Sequence, residues 1–399
     1  MVQRGNSVGL IRRACRSSAV LAAGLVVLLT AGCSGVAGGQ KDQQAPEVAA
    51  PTVRMAPDNG AKGVSPLDPV TAKVDGGEIV RAELTNADGG PVEGRIADDG
   101  KSWKVGQKLG YDRTYTLSVT AKGPEGPEIT KQSTFTTLSP AAQTYVSMIP
   151  LDGDTVGVGQ PLVFRFSKNA PAPDKKKAEQ AIDIRTEPAV EGAFYWFNSR
   201  EVHWRPKEYW EPGTTIDVNI DVYGRELGDG VWGEADRTAT FHIGDRVVLK
   251  ADGASHQMSV EKNGKIIRTM PVSLGKPDFP SNNGVHVVMA HHRKYMMDSS
   301  TYGLPVDEGG YRTEVEWAVR ISNGGEFLHA APWSVADQGH RNVSHGCINM
   351  SNENAEWIYN LVKKGDVVEI TNSGGPDLRS WDGFGDWQIP WSQWKAGNR

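Results

Sequence analysis

Residues 101–123, KSWKVGQKLGYDRTYTLSVTAKG, and residues 200–224, REVHWRPKEYWEPGTTIDVNIDVYG, are two versions of one pattern. In the first, Trp103 precedes Tyr115 by twelve residues and the alternation Tyr115, Leu117, Val119 follows. In the second, Trp204 precedes Ile216 by twelve, and Ile216, Val218, Ile220 follow. Apolar residues at every second position lay one face of a strand on a core, so each stretch reads as strand, turn, strand. Each copy then runs to a closing strand, STFTTL around Phe135 and ATFHIG around Phe241. The chain therefore carries an internal repeat of about a hundred residues per copy, rich in short strands and turns.

That spacing predicts two antiparallel sandwiches resembling immunoglobulin-like modules, over residues 51–139 and 140–245. The Cys-Trp-Cys hallmark is absent, so the likeness is architectural and implies no disulfide. Trp103 and Trp204 are expected in the cores, and APDKKKAEQAI at 172–182 predicts a short helix in the second copy. A third domain, 246–373, is also mainly β. Val247 and Leu249, Gln257 and Ser259, then Ile266 and Arg268 alternate, and Asn263-Gly264 marks a hairpin turn. Its exception is NENAEWIYNLVKKGDVVEI, where Ser351 or Asn352 caps a helix to about Lys364, Gly365 ends it and Val367–Ile370 returns as a strand. The tail, 374–399, holds Trp381, Trp387, Trp391 and Trp394 without regular period. It is expected to pack back onto the third domain, with stacking on sugar rings the less common use of such indoles.

The N-terminus is an export signal. Arg4, Arg12, Arg13 and Arg16 precede the apolar AVLAAGLVVLLTAGC, and Ala31-Gly32-Cys33 resembles a bacterial lipobox, which implies a lipid anchor on Cys33. A plain secretory signal or a short membrane anchor are the alternatives. Residues 34–50, rich in Gly, Ala and Gln, follow as a tether. The expected location is the outer face of a cell membrane. The formal charge of −5, or −9 without the signal's four arginines, argues against a nucleic-acid partner.

Cys15 falls in the signal and Cys33 at the lipobox, leaving Cys347 as the one thiol of the mature body, inside NVSHGCINMS at 342–351. Acyl transfer needs thiolate character, and a free thiol has little near neutral pH, so a base must accompany it. Two histidines offer themselves. His345 is two residues away, where adjacent side chains tend to point apart; His329, in GEFLHAAPW, sits on an apolar strand that delivers its ring to an open end. His329 is the better base and His345 the better supporting residue. Gly346 permits a tight turn that aims the amides of Gly346 and Cys347 at an oxyanion. A thiol so activated is expected to titrate below the free-thiol range.

His329, fourteen intervening residues, then Ser344-His345-Gly346-Cys347-Ile348-Asn349 closely resembles the signature of the L,D-transpeptidases, or YkuD-domain enzymes. The likeness extends to YMMDSSTYGLPV, GGYRTEVEWAVRIS, HAAPWSV and GFGDWQIPWSQWKAGN, which resemble mycobacterial-type members with two immunoglobulin-like domains. The resemblance implies a mainly β fold ending in a β-rich catalytic domain with one or two short helices, and a peptidoglycan-crosslinking activity. By that analogy Cys347 attacks the third stem residue, meso-diaminopimelate, of a tetrapeptide donor, D-Ala leaves, and a neighbouring stem's side-chain amine completes a 3→3 crosslink. His329 would be the base, oriented by the backbone carbonyl of Ala330, where many relatives carry Ser or Gly. Tyr311 and Gly346 would support the oxyanion, and Ser344, His345 and Asn349 would support the loop. Residues 295–311 would form a lid, with Met297, Tyr302 and Trp333 lining the donor channel; packing is the competing use of those three. The resemblance implies no metal or organic cofactor, stem peptides as donor and acceptor, and carbapenems as inhibitors. The His291-His292 pair is expected in a solvated loop. Arg320 and Arg341 hold a substrate carboxylate or form surface ion pairs.

Other readings have distinct signatures. A sortase would carry an arginine soon after the cysteine, whereas the next here is Arg379; an NlpC/P60 hydrolase would reverse the order of Cys and His. An L,D-carboxypeptidase would release D-Ala without crosslinking, and a wall-binding lipoprotein would leave the thiol idle.

Overall fold

Both tryptophans of the repeat lie across a glycine of the neighbouring strand. Trp103, on Ser102–Val105, crosses Gly94 of Gly94–Ile96, and Trp204, on Glu201–Pro206, crosses Gly192 of Gly192–Asn198. The registers match: Trp103 pairs with Ile96 and Trp204 with Phe194, each two residues beyond the glycine. A β-carbon at Gly94 or Gly192 would stand 2.0 or 1.9 Å from the indole, so these two sites require glycine for close approach.

The structure is a computed structural model and describes residues 50–398; the signal, Cys15, the Cys33 lipobox and the tether up to residue 49 lie outside the described residues. In the first sandwich, Thr52–Ala56, Thr71–Asp75, Ser102–Val105 and Gly94–Ile96 form one sheet. Pro91–Val92, Glu78–Asn86, Thr114–Lys122 and Ile129–Thr136 form the other, and Leu84, Leu117 and Phe135 are buried in the core. The second sandwich sets Val146–Ile149, Leu162–Phe166, Glu201–Pro206 and Gly192–Asn198 against Thr155–Val156, Arg237–Ile243, Thr215–Ile220 and Ile182–Glu187. Phe164, Ile216, Val218 and Phe241 fill it. Its helix is Lys175–Gln180, begun by Asp174, whose carboxylate accepts from the Lys177 amide.

The third domain contains two sheets. One runs Lys265–Pro271, Gln257–Lys262, Val247–Asp252, Val367–Thr371, Gly284–Val287; the other runs Ala290–Asp298, Arg312–Arg320, Phe327–Ala330, Ile348–Met350. The hairpin turn is at Asn263-Gly264, both with positive φ. The helix Asn352–Leu361 is capped by Ser351 and packs Ala355 and Ile358 into the core. It ends at Leu361, short of the expected Lys364. Val362 turns extended into the core, and its carbonyl accepts from His291 Nε2 at 3.0 Å. His291 and His292 therefore sit on the strand Ala290–Asp298, contrary to the loop expected of them, with His292 packed on Tyr295.

The tail meets its expectation in part: Asp382 accepts from the Asn323 and Gly324 amides and Phe384 packs against Val287 and Met289 of the third domain. It leaves the third domain at Gln388, whose side chain donates to the Val285 carbonyl, and straps the second sandwich. Trp387 donates to the Gly159 carbonyl and Trp394 to that of Ala193, while Arg205 stacks over Trp387 and Trp394 and donates to the Ile389 carbonyl. Buried His203 bridges Asp386 of the tail and Glu201, and the two carboxylates raise its pKa to about 9 against the effect of burial. The indoles are needed here because the sandwich sheet presents aromatic and cationic faces, Tyr195, Phe197 and Arg205. The second sandwich also shares its core with the catalytic domain through Val248 and Val367, and the Gly157 and Gly159 amides donate to the Lys364 and Gly365 carbonyls.

Candidate active site

The strand Phe327–Ala330 runs parallel to Ile348–Met350, with His329 in register with Asn349. Side chains two apart on a strand share a face, so Cys347, just before that strand, is set on the same side as Asn349 and His329. All three line a cleft of about 310 Å³ with Met297, Tyr311, Trp333, Ser344 and His345. Cys347 is the free cysteine of the described residues and is 4% exposed.

His329 is fixed in one tautomer. Its Nδ1 lies 2.8 Å from the carbonyl oxygen of Ala330, an atom that only accepts, so Nδ1 carries the proton and Nε2 is left as a base. Burial lowers its pKa to about 4, against the opposing pull of that carbonyl. Burial likewise pushes the Cys347 thiol up to about 12; the Phe327 backbone lowers it, Glu326 adds to the rise and Arg320 opposes it. The direction is opposite to that of a pre-formed thiolate. Its Sγ donates to the Gly325 carbonyl at 3.6 Å.

The motif loop is held by its serine. Ser344 Oγ donates to the Cys347 carbonyl at 2.6 Å and accepts from the Gly346 amide at 3.1 Å. That amide is therefore engaged, against the expectation that it faces an oxyanion; what Gly346 supplies is its φ of +114°, a conformation closed to most L-residues. His345 is held by partners other than the thiol. Its Nε2 accepts from Lys276 Nζ at 3.2 Å, its ring hydrogen-bonds the Gly309 backbone, and burial followed by Lys276 lowers its pKa. Tyr311 packs 5.1 Å from His345, and Asn349 donates to Ser334 Oγ.

Among the lining candidates, Met297 is buried beside Cys347, and Trp333, 60% exposed, stands at the mouth with its ring 6.2 Å from His329. Tyr302 ends the turn Ser299–Tyr302, and its side chain lies outside what the structure describes. The cleft also takes in Thr313, Ser334, Asp337 and Val343, which motif reading passed over. Thr313 was findable, being two strand positions from Tyr311; Asp337, ion-paired with Arg341, carried no signal beyond its i, i+4 spacing. Arg320 does not point to bulk solvent as a surface pair would: it donates to the Tyr295 hydroxyl and the Ser322 carbonyl.

Comparison with known proteins agrees with this geometry. Residues 246–370 match the L,D-transpeptidase catalytic domain and residues 61–226 a bacterial Ig domain. The chain is 48% identical over 341 residues to L,D-transpeptidase 2 of Mycobacterium tuberculosis, covering 85% of this chain and 83% of that protein. This chain belongs to the L,D-transpeptidase family. L,D-transpeptidase 5 of the same species is 38% identical over 86% of this transpeptidase and 76% of its own length. An L,D-transpeptidase solved in complex with imipenem superposes with a TM-score of 0.50 at 38% identity, over 56% of this chain and 97% of that one. The enzyme is an acyltransferase, with two immunoglobulin-like sandwiches ahead of its catalytic domain.

Proposed function

We propose that this transpeptidase forms 3→3 crosslinks through an acyl-enzyme on Cys347. The observation that carries the reading is the Nδ1–H bond from His329 to the Ala330 carbonyl, which presents an unprotonated Nε2 to the cleft that Cys347 lines. Cys347 Sγ attacks the carbonyl carbon of the third stem residue of a tetrapeptide as Nε2 takes the thiol proton. With the Gly346 amide turned to Ser344, the oxyanion falls to the Tyr311 hydroxyl and the Cys347 amide. The carbon–nitrogen bond to D-Ala then breaks, and the imidazolium returns its proton to the leaving amine. The side-chain amine of diaminopimelate on a second stem attacks the thioester, passes its proton to His329 and restores the thiol.

Met297 and Trp333 line the donor channel, with Tyr302 on the lid, and a carbapenem acylates the same sulfur through its strained carbonyl. The signal and the Cys33 lipobox anchor the enzyme to the outer membrane face, and the sandwiches carry the cleft toward the wall. Incubation with disaccharide tetrapeptide, followed by mass spectrometry, tests the reading. Loss of D-Ala with crosslinked dimer is expected; D-Ala without dimer indicates an L,D-carboxypeptidase. Identical products from Cys347→Ala refute the mechanism.

A further inference from the structure

Behind the cleft, outside the SHGC motif, a second histidine pairs with a buried carboxylate. His286, fully buried, places Nε2 3.0 Å from Glu326 Oε2, and Nδ1 3.3 Å from the Gly284 carbonyl. Glu326, 5% exposed, accepts from the Asn282 amide through Oε1 at 2.7 Å, and its own amide donates to Ser322 Oγ. A buried carboxylate without donors is strongly disfavoured, and this one has two. The reaction derived above uses neither residue.

The pair is wired to the nucleophile from two sides. Asn282 follows Ser281, whose hydroxyl donates to the Gly346 carbonyl at 2.7 Å and accepts from the Gly275 amide. On the other side Glu326 follows Gly325, whose carbonyl accepts from the thiol. Glu326 Oε1 would lie 3.9 Å from a β-carbon on Gly346. The charged and titratable groups that bear on the thiol are Glu326, which disfavours its ionisation, Arg320, which favours it, and the neutral ring of His329 across the cleft.

We propose that Glu326, held by His286, is a positioning residue for the reaction: it fixes the 281–282 turn that grips the Gly346 carbonyl and sets a carboxylate beside the loop that carries Cys347, where it opposes a resting thiolate. The proposal rests on Cys347 being the nucleophile. Its advantage is chemical, since oxidation and stray alkylation proceed through the thiolate, and an exported thiol meets both.

Alkylation of the purified protein by iodoacetamide, followed by mass spectrometry at several pH values, reads the thiol directly, whether or not it turns over. Glu326→Gln keeps the shape and removes the charge; alkylation at fixed pH should rise about tenfold, the effect of one unit in thiol pKa. Glu326→Asp, which keeps the charge, should stay near the wild-type profile. His286→Leu removes a donor the buried carboxylate depends on, so Glu326 takes up a proton and alkylation should rise as in Glu326→Gln. Unchanged or slower alkylation in Glu326→Gln, or equal acceleration in the Gln and Asp variants, overturns the proposal. Where Glu326→Gln does not fold, His286→Leu decides, because alkylation no faster than wild type refutes the role. Measuring D-Ala release with Cys347→Ala separates the two failures: unchanged release there removes the nucleophile assignment and leaves the alkylation result standing.

Discussion

Protonation of His329 should set the acid limit of the enzyme, and the limit should lie far below an ordinary histidine's. With His329 at about 4 and Cys347 at about 12, moving the proton from sulfur to nitrogen in the resting enzyme costs on the order of 10 kcal/mol. A contact ion pair at a protein-like dielectric returns about 4 kcal/mol, so the neutral pair wins by several kcal/mol. The proton must then move during attack. Acylation by a carbapenem, followed by stopped-flow loss of the lactam absorbance, should be level between about pH 5 and 9 and fall tenfold per unit only near pH 4. The stability sign is consistent. Below pH 6.5 the unfolded chain protonates this histidine and the folded one does not, so folding weakens as pH falls from 6.5 towards 4. An acid limb between pH 6 and 7, with alkylation reaching a plateau below pH 8, would show a thiolate–imidazolium pair and refute the reasoning.

Gly346→Ala should cost roughly 1–3 kcal/mol in backbone strain at φ +114° although a methyl group has room there, 3.8 Å from Glu326 Cγ; D-Ala release and urea midpoints measure it. Trp394→Ala should lower stability by about 3–5 kcal/mol in urea unfolding. That ring is fully buried, donates to Ala193, stacks on Tyr195 and supports Arg205, and none of these partners lines the cleft.

The sandwiches were legible because period-two alternation is a local signal: Leu117, Val119, Ile216 and Val218 are all buried where the pattern put them. The glycines under the tryptophans were not, since Gly94 and Gly192 gain meaning only through a strand pairing that sequence distance hides. His329 and Cys347 share a cleft, and the Ala330 carbonyl stands where the motif requires it, because backbone geometry is indifferent to the side chain at that position. The tail defied reading for the opposite reason. Its tryptophans have no period of their own, and the partners of Trp394, namely Ala193, Tyr195 and Arg205, lie far upstream in another domain, so only the assembled fold joins them. At the helix end the Val362 carbonyl meets His291, again a distant partner.

One physical cause accounts for both halves of the proposed catalytic pair. Desolvation disfavours whichever form of a group is charged, so the same burial that holds the thiol protonated holds the imidazole neutral. An enzyme whose described residues hold a single free thiol gains from this arrangement. A thiolate would be alkylated or oxidised while waiting for substrate, whereas a buried thiol that is 4% exposed and donates to the Gly325 carbonyl is a poor target. The arrangement demands a base that is free of its proton throughout the working range and has its unprotonated nitrogen defined. Burial supplies the first condition, and the bond from Nδ1 to the Ala330 carbonyl supplies the second by fixing the tautomer. A more open cleft would relax both shifts together, giving a faster resting thiolate but also a histidine protonated in mildly acid conditions. Protection of the thiol and the neutral state of the imidazole are therefore not separate features to be tuned one at a time.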